Sequence, residues 1–192
     1  MDNAVALVQA YLRINGYFTV AEYPVVEAVG GAGGHRSVTD LDILAFRFPL
    51  AGQHDSHAGD RRRIVEAEVI TLDPVLGRDS EFSDMLVGEV KEGRVRLNEA
   101  MRDPAVLHAA LTRFGCCGVN EASEIVGRLI RSGSATTAAG HQIRMVAFGS
   151  TVSEVPTGYT AISLGHIVQF LRDYLRDNWG IVRNVQTKEP TL

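Results

Sequence analysis

The sequence has few cysteines, little net charge and no long apolar run, and each shortage excludes something. Its only cysteines are the adjacent pair Cys116 and Cys117. Neighbouring cysteines cannot build a disulfide framework, so nothing points to an oxidising compartment. No further His or Cys stands at ligand spacing from them, which leaves a plain role at a helix end before Gly118. The formal net charge is −4 over 192 residues. That excludes a protein that coats nucleic acid by bulk electrostatics, while a local basic groove stays compatible with it. The opening stretch "MDNAVALVQAYLRING" has no basic start, and Gln9 and Arg13 break its apolar pattern. It is neither a signal peptide nor a membrane span, so the expectation is a cytoplasmic protein with no membrane partner. Neither Ser123 nor Ser163 sits in a G-x-S-x-G context, so a serine-hydrolase triad lacks support. Tyr159 and Trp179 are isolated and form no stacking platform. No internal repeat or low-complexity segment is visible.

What is present is the length and apolar content of one domain, residues 1–192. Val5, Val8 and Leu12 at helical spacing predict a first helix over residues 3–15, stopped by Asn15-Gly16. "YFTVAEYPVVEAV" reads as a strand whose Pro24 suggests an edge or bulge. "SVTDLDILAFRF" reads as a second strand, and "DMLVGEV" as a third that turns at Glu92-Gly93. Between them, residues 51–84 are longer than a hairpin needs and read as an insertion. Its "RIVEAEVITL" suits either a strand or a short helix. Helical material follows, with Pro104 in a first turn. A second helix has Asn120 as its expected cap and Ile125, Leu129 and Ile130 on one face. "HQIRMVAFGS" is a further strand. A final helix over 163–179 starts at Ser163 and faces Ile167, Phe170, Leu171 and Leu175 inward. Strands that come early and consecutively, followed by helices, predict a mixed α/β sandwich and not a strictly alternating doubly wound sheet.

Two strands carry charges that an apolar strand should avoid. In the second, Asp40, Asp42, Leu44 and Phe46 fall on one face by alternation, and Leu41, Ile43 and Ala45 on the other. In the third, Met85, Val87, Glu89 and Lys91 share a face. A carboxylate in such a strand is costly unless paired, solvated or metal-bound. If the strands are neighbours, Asp42, Glu89 and Lys91 converge at one sheet end. Two hard oxygen ligands suit Mg²⁺, which keeps several waters. Such an ion lowers the pKa of a bound water and polarises a phosphoryl oxygen. Lys91 would orient the attacking water or steady developing negative charge. The plainer alternative is a solvated Glu-x-Lys face and an aspartate that caps a turn.

"TDLDILAF" followed by "LVGEVKEG" resembles the PD-(D/E)XK nuclease superfamily over roughly residues 3–150. The resemblance implies a restriction-endonuclease-like three-layer sandwich, with a mixed central sheet flanked by helices and a helix–strand–strand–strand–helix–strand core. It also implies a metal-dependent nuclease acting on DNA or RNA, DNA favoured. Asp42 and Glu89 would hold Mg²⁺, with Mn²⁺ as an alternative ion; the Val90 carbonyl would be a further ligand, and Lys91 the catalytic lysine. Asp40 and Glu22 would be auxiliary acids. The sequence departs from the family in lacking the Pro-Asp form of the first motif; Thr39 and Leu41 precede the acids instead.

Arg94 and Arg96 follow Lys91 closely and are candidate phosphate contacts. Arg61, Arg62 and Arg63 form a second basic run. His54 and His57 have a ligand-like spacing but lie in a polar loop, where exposed histidines are ordinary. His166 reads as a capping or solvent-facing residue. "GGAGG" at 30–34 resembles a phosphate-cradling loop in composition only, since no Lys-Ser/Thr and no helix follow. Two other readings stand beside the nuclease. One is an inactive protein of the same fold that binds nucleic acid or a protein. The other is an unrelated α/β interaction domain, which predicts that the two motif strands are not adjacent. The apolar stripe of the last helix is compatible with a homodimer face.

Overall fold

A computed structural model of the chain describes residues 2–29, 33–52, 70–76, 81–152 and 158–184. Helix α1 (Asn3–Ile14) begins where the Asp2 side chain accepts a hydrogen bond from the Ala4 amide. It buries Val5, Val8 and Leu12, with Tyr11 beside them. Asn15 ends it, and Gly16 at φ 84° turns the chain into β1 (Phe18–Val29). Strands β2 (Gly34–Arg47) and β3 (Asp84–Arg94) follow, the latter running through the expected turn at Glu92-Gly93. The strand extends because Lys91 and Arg94 still find ladder partners in Gly149 and Thr151. Helix α2 (Pro104–Phe114) has Pro104 in its first turn, a cap from Asp103, and a left-handed Gly115 behind it. Helix α3 (Val119–Ser132) is capped by Gly118 with no side-chain bond. Asn120 lies inside it, not at its cap, because the helix starts two residues earlier than the polar signal suggested. Strands β4 (Ser134–Thr136), β5 (Gln142–Thr151) and β6 (Thr160–Ser163) lead into helix α4 (Leu164–Val182). There the Ser163 hydroxyl accepts from the His166 amide, as the sequence led one to expect.

The fold is α/β, with a mixed sheet of six strands among the described residues. The path is β1-β2-β3-β5-β4, and β6 also pairs with β5. The β1/β2, β2/β3 and β4/β5 pairs are antiparallel; β3/β5 and β5/β6 are parallel. Strands β4 and β6 share one edge of β5, meeting beside Met145. At that junction Gly133 has no room for a side chain: a Cβ there would stand 2.0 Å from the Gly158 carbonyl oxygen.

Helices cover both faces of the sheet. On one face, residues from α2 and α3, such as Leu107, Leu111, Ile125 and Leu129, pack on Leu44, Met85, Val87, Ile143 and Met145. On the other, Val5, Val8 and Leu12 of α1 and Ile167 of α4 pack on Ile43, Ala45, Leu86, Val146 and Phe148. In α4, Phe170 and Leu171 are only partly buried, and Tyr174 is the second fully buried position. Of the expected insertion, residues 51–52, 70–76 and 81–84 are described; they carry a 3-10 turn at Pro74–Leu76, and Asp84 already belongs to β3. "RIVEAEV", His54, His57 and the Arg61–Arg63 run lie outside the described residues. No described helix is long and apolar enough to cross a membrane.

Candidate active site

The two motif strands are neighbours. The β2/β3 ladder runs from Arg47 opposite Asp84 to Ile43 opposite Gly88 and stops there. The next partners would be Asp42 and Glu89. Instead, the Asp42 carboxylate accepts the Val90 amide through Oδ2 at 2.7 Å, in place of a main-chain bond. On the other side of β2, Glu22 falls between the pairs Ala21–Ile43 and Tyr23–Leu41, so it stands across from Asp42. Its φ is 52°, a left-handed backbone that is uncommon for a non-glycine residue. Both strands change face at this point. Leu41 packs in the same cluster as Leu44, and Tyr23 joins Val20, whereas Ile43 and Ala21 belong to the opposite side. The expected grouping of Leu41 with Ile43 and Ala45 therefore fails, because the kink at Glu22 and Asp42 breaks the alternation.

Alternation in β3 is intact up to the site. Met85 and Val87 pack on the α2/α3 face, and Leu86 and Val90 on the other. Glu89 and Lys91 thus share the α2/α3 face, and the Lys91 ammonium contacts Glu89 Oε1. The Glu89 side chain is 3% exposed and that of Lys91 34%. Burial pushes the Glu89 carboxyl above its ordinary value and the Asp42 charge adds to this, while Lys91 opposes both. Asp42 is also raised, first by burial and then by Asp2 and Asp40; the Val90 amide and Lys91 work against the shift. Two carboxyls that disfavour each other's charge, with one lysine between them, form a place where added positive charge would be stabilised. Asp42 Oδ2 takes the Val90 amide, and Glu89 Oε1 the Lys91 ammonium. The Val90 carbonyl faces the same side as its amide, toward the parted strands. No group of three or more His, Cys, Asp or Glu side chains among the described residues is arranged to hold a metal ion. A divalent ion here would rest on Asp42, Glu89, the Val90 oxygen and water, a set that fits Mg²⁺ better than a softer metal.

The remaining candidates separate into those the fold brings near and those it does not. Asp40 is exposed and reaches Asp42 only through its charge. Arg94 and Arg96 are exposed on the strand end and loop just beyond Lys91. Asp2, not among the residues expected from the sequence, acts on Asp42 from the N-cap of α1. Nothing in its surroundings in the sequence distinguishes it from an ordinary helix cap.

A second polar cluster also escaped the sequence. At the opposite end of β3, Arg144 forks onto Asp84, with Nε at 3.0 Å and Nη2 at 2.6 Å, and its Nη1 reaches the Leu76 carbonyl at 3.0 Å. The Tyr17 hydroxyl donates to the same aspartate, and the Arg47 guanidinium lies over the Tyr17 ring. Next to it, Asp73 accepts from the Tyr11 hydroxyl at 2.8 Å and pairs with the His166 ring. His166 is thus not merely capping or solvent-facing: its backbone meets Ser163 while its ring is spent on a buried carboxylate. Asp84 and Arg144 in apolar strands are the same kind of anomaly as Asp42 and could have been flagged by it. The chain matches no family model, and neither the curated proteins nor the solved structures contain a match to it.

Proposed function

We propose that this chain is a divalent-metal-dependent nuclease of the PD-(D/E)XK type, hydrolysing phosphodiester bonds in DNA in preference to RNA. One observation carries the reading: Asp42, Glu89 and Lys91 come together where two adjacent strands part. The chain order α1, β1, β2, β3, then α2, with helices on both faces, is compatible with the restriction-endonuclease-like sandwich. When bound, Mg²⁺ would polarise a phosphoryl oxygen and supply a water of lowered pKa. Asp42 and Glu89 hold the charge that attracts it, and the strands fix their spacing. Lys91, anchored on Glu89 and one-third exposed, reaches the solvent side of the site, where it can orient the attacking water and steady the pentavalent charge. Arg94 and Arg96 supply positive charge for neighbouring phosphates.

A second reading has its own support. Lys91 already neutralises Glu89, and Asp42 already caps the Val90 amide. A protein of this fold that binds nucleic acid without cutting it would need no more. The unrelated interaction domain is less well supported, since it required the motif strands to be apart. The two leading readings are separated by incubating the protein with supercoiled plasmid and with single- and double-stranded oligonucleotides, in Mg²⁺ or Mn²⁺. Cleavage that disappears in Lys91→Ala is the expected result. Binding without cleavage in either metal would favour the second reading, and neither would remove both.

A further inference from the structure

Beyond the site, β1 and β2 continue as a two-stranded arm. The β2/β3 ladder ends at Ile43, yet β2 runs back to Gly34 and pairs along that length with β1 alone. Almost all of its outer residues are exposed, including Val26 at 58% and Val38 at 39%. An unsupported hairpin of this kind is marginal in water, so its length calls for a purpose. The candidate site sits where this arm and the outgoing end of β3 part, with Arg94 at the end of β3 and Arg96 in the loop beyond it. A polymeric substrate whose scissile phosphate lies at Asp42 and Glu89 and that extends along β2 runs past the arm.

We infer that the arm is a substrate-positioning element that enters a groove of duplex DNA, with Arg36 as its principal contact. The inference rests on the nuclease reading above. Its β2 strand presents His35, Arg36, Ser37 and Thr39, all hydrogen-bond donors to phosphates or base edges. A two-stranded ribbon fits the major groove in width. A bulge decides where Arg36 points. The register shifts between Val25 opposite Thr39 and Val26 opposite Ser37, leaving Val38 as the extra residue. Arg36 consequently pairs with Glu27 and shares the face of Val25 and Leu41, which is the α2/α3 face that also carries Glu89 and Lys91. Without the bulge it would point to the opposite face. Its present partner is Glu27, in an ion pair with the Arg36 side chain 71% exposed, which a phosphate or a guanine edge can replace at little cost. The arm's Glu27, Arg36 and Asp40 carry no excess of positive charge. Its contribution is therefore register on the duplex, with bulk attraction left to Arg94 and Arg96. Arg36 is six residues from Asp42 with one of them bulged, so it lies roughly 17–20 Å along the strand. That corresponds to about five or six base pairs of B-form duplex.

The test is a length series of duplex oligonucleotides with a fixed cleavage position, followed by cleavage in Mg²⁺ and by fluorescence anisotropy with Lys91→Ala protein in Ca²⁺. Arg36→Ala and Arg36→Glu should weaken binding about ten- to a hundredfold on duplexes extending beyond about six base pairs on the arm side. On duplexes ending within about three base pairs they should change nothing. Circular dichroism and sedimentation of the variants, matched to the parent, establish that the fold and association state are unchanged. Equal loss on long and short duplexes, no loss on either, or loss confined to single strands would overturn the arm's role while leaving the nuclease reading intact. A parent protein that neither binds nor cuts any duplex would overturn both. A change of association state in Arg36→Glu would assign the arm to a second copy of the chain and overturn the inference.

Discussion

The two polar clusters of this sheet lie at opposite ends of β3 and treat buried charge in opposite ways. At the Asp84 end every carboxylate is met. Arg144 supplies two hydrogen bonds to Asp84, and Tyr17 a third. Asp73 would be raised by burial alone, but the Val75 amide, His166 and Tyr11 outweigh this and hold it below the ordinary carboxylate range. Arg144 is held above its ordinary value against its own burial, mainly by Asp84. At the Asp42 end the balance is reversed. Both carboxyls are pushed up, and one lysine is shared between them. Only the buried Arg47 Nη2, over the Tyr17 ring, lacks a hydrogen-bond partner there. Carboxylates met in this way are what a structural network needs. A pair of carboxyls left partly uncompensated, at the mouth of a strand fork, is what a cation-binding site needs.

The largest expected effect lies at the structural end. Arg144→Ala leaves Asp84 buried without its cation and should cost about 3–5 kcal/mol, read as a drop in the urea midpoint, with metal binding at Asp42 unchanged in the folded fraction. A similar loss of stability for Asp42→Ala would erase the distinction between the two ends. Next, Lys91→Ala should lower the cleavage rate by about 10²–10³. It also leaves the buried Glu89 carboxyl without its cation, so it should cost about 1–3 kcal/mol, less than Arg144→Ala because the raised Glu89 carboxyl can take up a proton. Tyr11→Phe removes one donor from Asp73 and should cost about 1.5–3 kcal/mol. That loss should depend on pH with a definite sign. A carboxyl held below its unfolded value contributes stability above roughly pH 4 and loses it as the pH falls through the folded value. The gap between Tyr11→Phe and the parent should therefore shrink on acidification, as measured by denaturant titrations from neutral pH downward. The smallest effect is expected for Glu89→Gln in chelator. Because the Glu89 carboxyl is raised in the folded state, removing its charge should leave neutral-pH stability unchanged or slightly higher, and a marked fall would show that the Lys91 pair is structural.

Much of this was readable in the sequence, and the reasons differ by element. Helices α1 and α4 follow from apolar spacing and the Asn15-Gly16 and Ser163 signals, because local chemistry decides them. The pairing of Asp42 with Glu89 and Lys91 followed from charges placed inside two apolar strands. Their adjacency depended on β2 and β3 pairing, which the long connection between them could not guarantee. The kink at Glu22 was not legible, since nothing about a glutamate announces a left-handed backbone. Nor was the bulge at Val38, which depends on register with β1. The Asp73–His166 contact joins residues 93 positions apart and depends on how α4 docks. Strands β4 and β6 are too short for periodicity to mark them.

The most direct measurement is Mn²⁺ binding to the full chain by isothermal titration and electron paramagnetic resonance, repeated with Asp42→Asn and Glu89→Gln. One site, lost in both variants without loss of fold and displaced by Mg²⁺, is the expected outcome. Absence of binding in the parent, or binding that survives both substitutions, would contradict a cation held between these two strands.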